Sequence, residues 1–181
     1  MLINNTTKES KPVILLLSGG IDSTTLLAQL KKDGQSVVAI SFDYGQKHGI
    51  ELQYAKQNAQ NYDVVSHTII QLDKALFQSS ALVNNNINVT SYKNQDLPKG
   101  QVNAYVPFRN LIFISMAMSL AETMNITEIY LAFNEDDSHN FWDCKQGFVK
   151  HINALSKLNT AIEIKNAIYT FIQNSSCSIS Q

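Results

Sequence analysis

Cysteine is scarce in this chain: only Cys144 and Cys177 occur in 181 residues. That is too few for a disulfide scaffold or for a structural zinc site made by the chain alone. Proline occurs three times and glycine seven, so collagen-like and linker-like compositions are excluded. Neither charge is in excess: 14 Lys and Arg stand against 15 Asp and Glu, a formal charge of −1. Binding to nucleic acid or to an anionic membrane by bulk electrostatics needs a basic excess and is not expected. Long apolar runs are missing too, and none approaches the roughly 18 residues of a membrane span. Met1 to Ser10 lacks the charged-then-apolar plan of a secretory signal, so a cytoplasmic location is expected. What the chain does hold is core material. Hydrophobic residues make up 44% and charged residues 16%, at a length typical of one domain.

Residues 1–11 form a polar leader, 12–173 one α/β domain, and 174–181 a polar tail expected to fray. Val13 to Leu17 is an apolar run too short for a helix and bounded by Ser-Gly-Gly, which predicts a buried parallel strand. Asp22 and Ser23 offer capping oxygens to a helix that continues through Leu26, Leu27 and Leu30 and stops at Gly34. A second strand (Ser36–Phe42), a polar helix (Ile50–Asn61) and a third strand (Val64–Ile70) follow. Residues 79–103, rich in Asn, Ser and Lys, predict a mobile lid loop, with plain disorder as the alternative. An apolar helix (Arg109–Met124), a strand (Glu128–Phe133), a helix (Lys145–Leu158) and a fifth strand (Ala161–Ile164) complete the pattern. This alternation predicts a doubly wound, mainly parallel five-stranded α/β sheet whose ligand lies outside the carboxyl ends of its strands.

The most informative segment is Leu17-Ser18-Gly19-Gly20-Ile21-Asp22-Ser23-Thr24-Thr25. A strand ends, two glycines allow a tight turn, and a helix begins. Backbone N–H groups and the positive helix end then converge on one spot, which suits a phosphate. Ser18, Ser23 and Thr24 add hydroxyls, and Asp22 becomes tolerable beside phosphate if it holds Mg²⁺. A capped glycine turn with no ligand is the plain alternative. Arg109 stands at a predicted helix start, where a cation opposes the dipole, so a paired or ligand-contacting role is indicated. His67 and His151 read as structural or exposed, and Cys144 as a buried, inert thiol.

Ser18-Gly19-Gly20-Ile21-Asp22-Ser23 resembles the pyrophosphate loop of the ATP pyrophosphatase superfamily, which grips the leaving pyrophosphate during adenylation. No Gly-Lys-Ser/Thr follows, so a kinase or GTPase is disfavoured. Three further segments resemble the 7-cyano-7-deazaguanine synthase family in particular. Phe42-Asp43-Tyr44-Gly45-Gln46-Lys47-His48 is similar to its Phe-Asp-Tyr-Gly-Gln-Arg/Lys-His. Val106-Pro107-Phe108-Arg109-Asn110 is similar to its Val-Pro-Gly-Arg-Asn. Glu135 to Lys145 is similar, without gaps, to its Glu-Thr-Asp-Phe/Tyr-Ser-Gly-Tyr-Pro-Asp-Cys-Arg. The likeness runs from about Val13 to Ile172.

The resemblance implies an adenine nucleotide alpha hydrolase-like fold. It implies a ligase that uses ATP and Mg²⁺ to turn 7-carboxy-7-deazaguanine and ammonia into 7-cyano-7-deazaguanine, in queuosine biosynthesis. In that reading residues 17–25 and Asp43 bind the nucleotide, and Asp22 holds the metal. Asp22, Asp43 and Arg109 are the catalytic set, and Tyr44, His48, Arg109, Asn110, Asp137 and Asp143 face the substrate. A homodimer is implied as well. Three features depart from the family pattern. Its members carry a four-cysteine zinc site beyond the last residue of this sequence, and Cys177 alone cannot form one, so zinc is not expected. Phe108 replaces a glycine, and His139-Asn140-Phe141-Trp142 replaces Ser-Gly-Tyr-Pro. A diverged, non-catalytic nucleotide-binding relative and an enzyme of another acid therefore stand beside the ligase as alternatives.

Overall fold

The computed structural model describes residues 11–47, 49–88, 102–134 and 141–166. Five strands pair in parallel in the order β3-β2-β1-β4-β5. They are β1 (Val13–Leu16), β2 (Val37–Asp43), β3 (Ser66–Gln71), β4 (Glu128–Leu131) and β5 (Glu163–Asn166). The helices are α1 (Ile21–Lys32), α2 (Ile50–Asn61), α3 (Arg109–Met124) and α4 (Gln146–Ser156), with short 3₁₀ turns at Lys74–Phe77 and Trp142–Cys144. The expected doubly wound α/β fold is thus present, with all five strands parallel.

Strand alternation divides the core into two layers. Val13 and Leu15 of β1, with Val37 and Ala39 of β2, turn to one face, where Leu26, Leu27 and Leu30 of α1 and Ala55 and Ala59 of α2 cover them. Ile14, Val38, Ile40, Ile129 and Leu131 turn to the other, against Ile114, Ala117 and Ala121 of α3 and Phe148, Val149 and Ile152 of α4. Ile14 is wholly buried, so Ile14→Ala would cost about 2–5 kcal/mol through lost transfer energy and the cavity left behind. Because both faces are covered, β1 and the first four residues of β2, Val37 to Ile40, are continuous apolar runs.

The winding reverses between β1 and β4, which pair through Ile14↔Ile129 and Leu15↔Tyr130. A crevice opens at that switch point, beyond the carboxyl ends of β1, β2 and β4. Element boundaries differ from expectation by a few residues, and one difference matters at the site. α1 begins at Ile21 with Gly20 as its N-cap, and no side chain caps it. Asp22 and Ser23 lie inside the first turn. The 3₁₀ turn at Lys74–Phe77 is unforeseen; Asp73 caps it by accepting the Ala75 N–H at 2.8 Å, and Phe77 is fully buried. Residues 79–88 at the start of the expected lid are turns with Ser80, Ala81 and Val83 buried, and Ala81 N–H donates to the Asn103 carbonyl at 2.8 Å. The rest of that loop, 89–101, and the tail lie outside the described residues.

Candidate functional site

The glycines do distinct work in the phosphate loop. Gly19 has φ +88°, and a Cβ there would stand 1.9 Å from the Glu51 carbonyl oxygen and 2.7 Å from the Ala55 nitrogen. Only hydrogen fits, so the loop lies directly on the backbone of α2. Gly20 is extended (φ −71°, ψ 168°) and turns the chain into α1. The first bond of α1 runs from Thr24 N–H to the Gly20 carbonyl at 3.1 Å. The N–H groups of Ile21, Asp22 and Ser23 precede it, at the positive end of the helix.

The hydroxyls mostly brace this turn. Ser23 Oγ and Thr24 Oγ1 both donate to the Gly20 carbonyl, at 3.1 and 2.9 Å. Ser18 Oγ accepts the Gly20 N–H at 3.2 Å and lies 3.0 Å from Ser23 Oγ. Asn58 of α2 donates to Thr24 Oγ1 at 2.9 Å. The hydroxyls thus form a layer of side chains that holds the backbone of the turn.

A cavity of about 360 Å³ opens beside the loop, lined on that side by Leu17, Ser18, Gly20, Ile21, Asp22 and Ser23. Arg109 and Asn110, the first residues of α3, line it as well, with Tyr44 and Cys144. Arg109 Nη1 donates to the Tyr44 hydroxyl at 3.4 Å, and its Nε to Asn110 Oδ1 at 3.3 Å. Asn110, itself buried, donates Nδ2 to the Asp143 carbonyl and to Cys144 Sγ, both at 3.4 Å. Tyr44 packs against Phe77 and Phe113, and Phe113 stacks on Phe42 with centroids 3.9 Å apart.

Burial opposes the charge of Arg109, but Tyr44, Asp143 and Cys144 outweigh it and hold the guanidinium above its ordinary value. The Asp143 carboxyl is buried, and desolvation pushes it above its ordinary value despite Arg109 and two backbone N–H donors. Among the described residues no carboxylate comes within ion-pair distance of Arg109; those ion pairs belong to Lys165 with Glu128 and Glu163. A protonated fork therefore faces the cavity with part of its charge available to an anionic ligand.

The other sequence candidates fall into three groups. Gly19, Thr24 and Thr25 belong to the loop but stand off the cavity wall, Thr25 being exposed. Asp43 ends β2 at the same rim, accepts the Gly45 N–H at 3.3 Å and does not line this cavity. Asp143 sits behind Asn110 rather than in the wall. His48 and Asp137 lie outside the described residues. Ser41, Glu51, Phe113 and Phe133 line the cavity unforeseen. Ser41 and Phe133 had one available signal, their place at the carboxyl ends of β2 and β4. Among the described residues no three His, Cys, Asp or Glu side chains gather as a metal cluster, and no helix is long and apolar enough to cross a membrane.

A glycine loop at the switch point of an all-parallel sheet, sharing its cavity with a partly buried arginine, is the arrangement of the pyrophosphate-loop fold class. A predicted subunit of tRNA methyltransferase from Methanocaldococcus jannaschii shares the fold, with TM-score 0.53 and 18% identity over 86% of this chain and 67% of that one. The family described as queuosine biosynthesis protein QueC matches residues 12–176, and the chain belongs to it. The 7-cyano-7-deazaguanine synthase of Rickettsia felis is 37% identical over 161 residues, 88% of this chain and 72% of the relative. That of Legionella pneumophila is 39% identical over 160 residues, 88% of this chain and 69% of the relative. The resemblance carried by the four motifs is therefore borne out.

Proposed function

We propose that this chain is an ATP-dependent ligase that converts 7-carboxy-7-deazaguanine and ammonia to 7-cyano-7-deazaguanine for queuosine biosynthesis. Family membership supports the substrate, and one observation supports the chemistry: the phosphate loop and Arg109 line a single cavity.

A carboxylate resists attack by ammonia because its leaving group would be oxide. Attack of the carboxylate on the α-phosphorus of ATP expels pyrophosphate and gives an acyl adenylate. Ammonia then displaces AMP to form the amide. A second ATP adenylates the amide oxygen, and loss of AMP and a proton leaves the nitrile. Both activations release pyrophosphate, and the residues have the same tasks in each. The N–H groups of residues 21–23 receive the phosphate charge at the α1 terminus. Arg109 supplies a cation to the same cavity, placed by Tyr44 and Asn110. The aromatic wall of Phe42 and Phe113 keeps water from the acyl adenylate.

Asp22 and Glu51 line the cavity, and a carboxylate is the donor type that suits Mg²⁺ held jointly with phosphate. Asp22 would hold the ion, which neutralises phosphate charge when bound. Asp43 belongs to the nucleotide side of the rim in this reading, and Asp143 orders the acceptor side through Asn110.

The test is mass-spectrometric detection of AMP and nitrile from the purified chain given ATP, Mg²⁺, ammonium and 7-carboxy-7-deazaguanine. Nitrile formation that is lost in Asp22→Ala supports the ligase. A folded protein that releases neither AMP nor nitrile refutes it.

A further inference from the structure

Ser41 stands between the sheet and the phosphate loop. It lies on β2, is 1% exposed and lines the cavity. Its Oγ makes a very short contact with the Leu17 carbonyl oxygen and lies 2.7 Å from Nε2 of His67 on β3. Leu17 is the residue from which the loop departs. Its N–H still donates to the Ile40 carbonyl at 2.8 Å, but it lies past the end of β1, where its carbonyl leaves the ladder.

Proton counting sets the direction of this chain of bonds. Two oxygens as close as Ser41 Oγ and Leu17 O require a proton between them, and a carbonyl has none to give. The single hydroxyl proton is therefore spent on Leu17, and Ser41 Oγ must accept from His67 Nε2–H. Burial, with Lys56 nearby, holds the His67 imidazole below its ordinary pKa, so near neutral pH it carries one N–H, and the geometry places that proton on Nε2. An acceptor at that position would compete for the Ser41 proton and release Leu17.

We propose that Ser41 and His67 are positioning residues of the phosphate loop: His67 orients the Ser41 hydroxyl, and Ser41 clamps the Leu17 peptide from which Ser18, Gly19 and Gly20 depart. The inference rests on the reading that this loop binds the phosphates of ATP. Leu17 is then held at both its N–H and its carbonyl by β2, and the loop amides meet the anion already aligned.

The test is calorimetric titration of the full chain with Mg²⁺–pyrophosphate and Mg²⁺–ATP. It compares the wild type with Ser41→Ala, Ser41→Thr, His67→Leu and His67→Gln, and a melting curve is recorded for each. Glutamine places an amide N–H where His67 has Nε2–H, and threonine keeps the hydroxyl. The expected result is a weakening of about 2- to 10-fold for pyrophosphate in Ser41→Ala and His67→Leu, the size of one hydrogen bond. Ser41→Thr and His67→Gln bind within about twofold of wild type, a rescue that a purely space-filling role would not produce. Wild-type binding with equal affinity in all four variants overturns the inference alone, as does a His67→Gln protein as weak as His67→Leu. A wild type that binds neither probe overturns the phosphate-loop reading and the inference with it.

Discussion

Phe108 stands edge-on to Trp142, with ring centroids 5.5 Å apart and planes at 75°. These are two of the positions at which the chain departs from its family's pattern, Phe for Gly and Trp for Pro. Phe108 has φ +50°, ψ 21°, the left-handed region where glycine is favoured, and it caps α3 directly before Arg109. Its N–H donates to the Tyr105 hydroxyl at 3.1 Å, and Trp142 Nε1–H donates to the same oxygen at 2.9 Å. The strain of a bulky residue is thus offset by a ring contact that glycine could not make.

Phe108→Gly and Phe108→Ala separate these two effects. Glycine relieves about 1 kcal/mol of backbone strain and forfeits an aromatic contact of about the same size, so stability should change little. Alanine keeps the strain and loses the contact, and should destabilise by about 1 kcal/mol. Urea unfolding of the three proteins decides it; equal midpoints for Gly and Ala would show that the left-handed conformation carries no cost here.

Gly19→Ala should be far more severe. The clash is with the Glu51 carbonyl and the Ala55 nitrogen, both backbone atoms that cannot rotate away, and φ is +88°. A loss of about 3 kcal/mol or more is expected, from overpacking and strain together. Gly34→Ala is the control. It shares the positive φ, +76°, but its Cβ would meet nothing within 4 Å, so it should cost only about 1 kcal/mol. Similar melting temperatures for the two variants would contradict the close packing of the loop on α2.

Arg109→Lys should keep the charge and lose the fork. A lysine ammonium that donated to both Tyr44 and Asn110 would leave a single N–H for the cavity and no planar fork. Under the proposed function, kcat/KM for nitrile formation falls by about a hundredfold while the fold remains. Steady-state kinetics with a melting curve tests this, and full activity in Arg109→Lys would remove Arg109 from the transition state.

Asp143 gives a pH signature. Its folded pKa lies above the ordinary 3.8 because desolvation dominates. The folded state therefore binds the proton more tightly than the unfolded chain. This contribution is fully present below the ordinary value and is lost as pH rises through the folded value. Asp143→Asn, which mimics the neutral carboxyl, should gain stability relative to wild type across that window and hold the gain at neutral pH. Melting temperatures from pH 3 to 7 would show the difference growing, roughly over the carboxylate range and slightly above it. A difference independent of pH would mean that Arg109 and the backbone donors fully compensate the burial.

The sheet was legible because its signals are local. Val13 to Leu16 and Val37 to Ile40 are continuous apolar runs, and the helix bounds Ile50–Asn61 and Arg109–Met124 agree with the pattern of the residues. The phosphate loop was legible because glycine spacing between a strand and a helix has few other uses. The supporting shell was not. Nothing near Ser41 announces that its hydroxyl reaches Leu17, and the reading of His67 as structural or exposed missed its bond to Ser41, since only the β2–β3 register brings them together. Asp22 and Ser23 looked like caps because their side chains suit that task, yet Gly20 takes the position and frees the N–H groups. Phe108 looked like a simple intrusion; its left-handed backbone and its contact with Trp142 emerge only in three dimensions.

The pairing of β1 with β4 has a kinetic consequence. β1 carries the phosphate loop, while α3 and β4, which bring Arg109, Asn110 and Phe133, come from the distant half of the described chain. The first three strands can associate through near neighbours, but the cavity does not exist until β4 docks beside β1. Contacts so far apart in sequence form slowly, because the intervening chain must be ordered first. During refolding, binding competence should therefore appear after most of the helical signal, so that the site is among the last parts of the molecule to assemble.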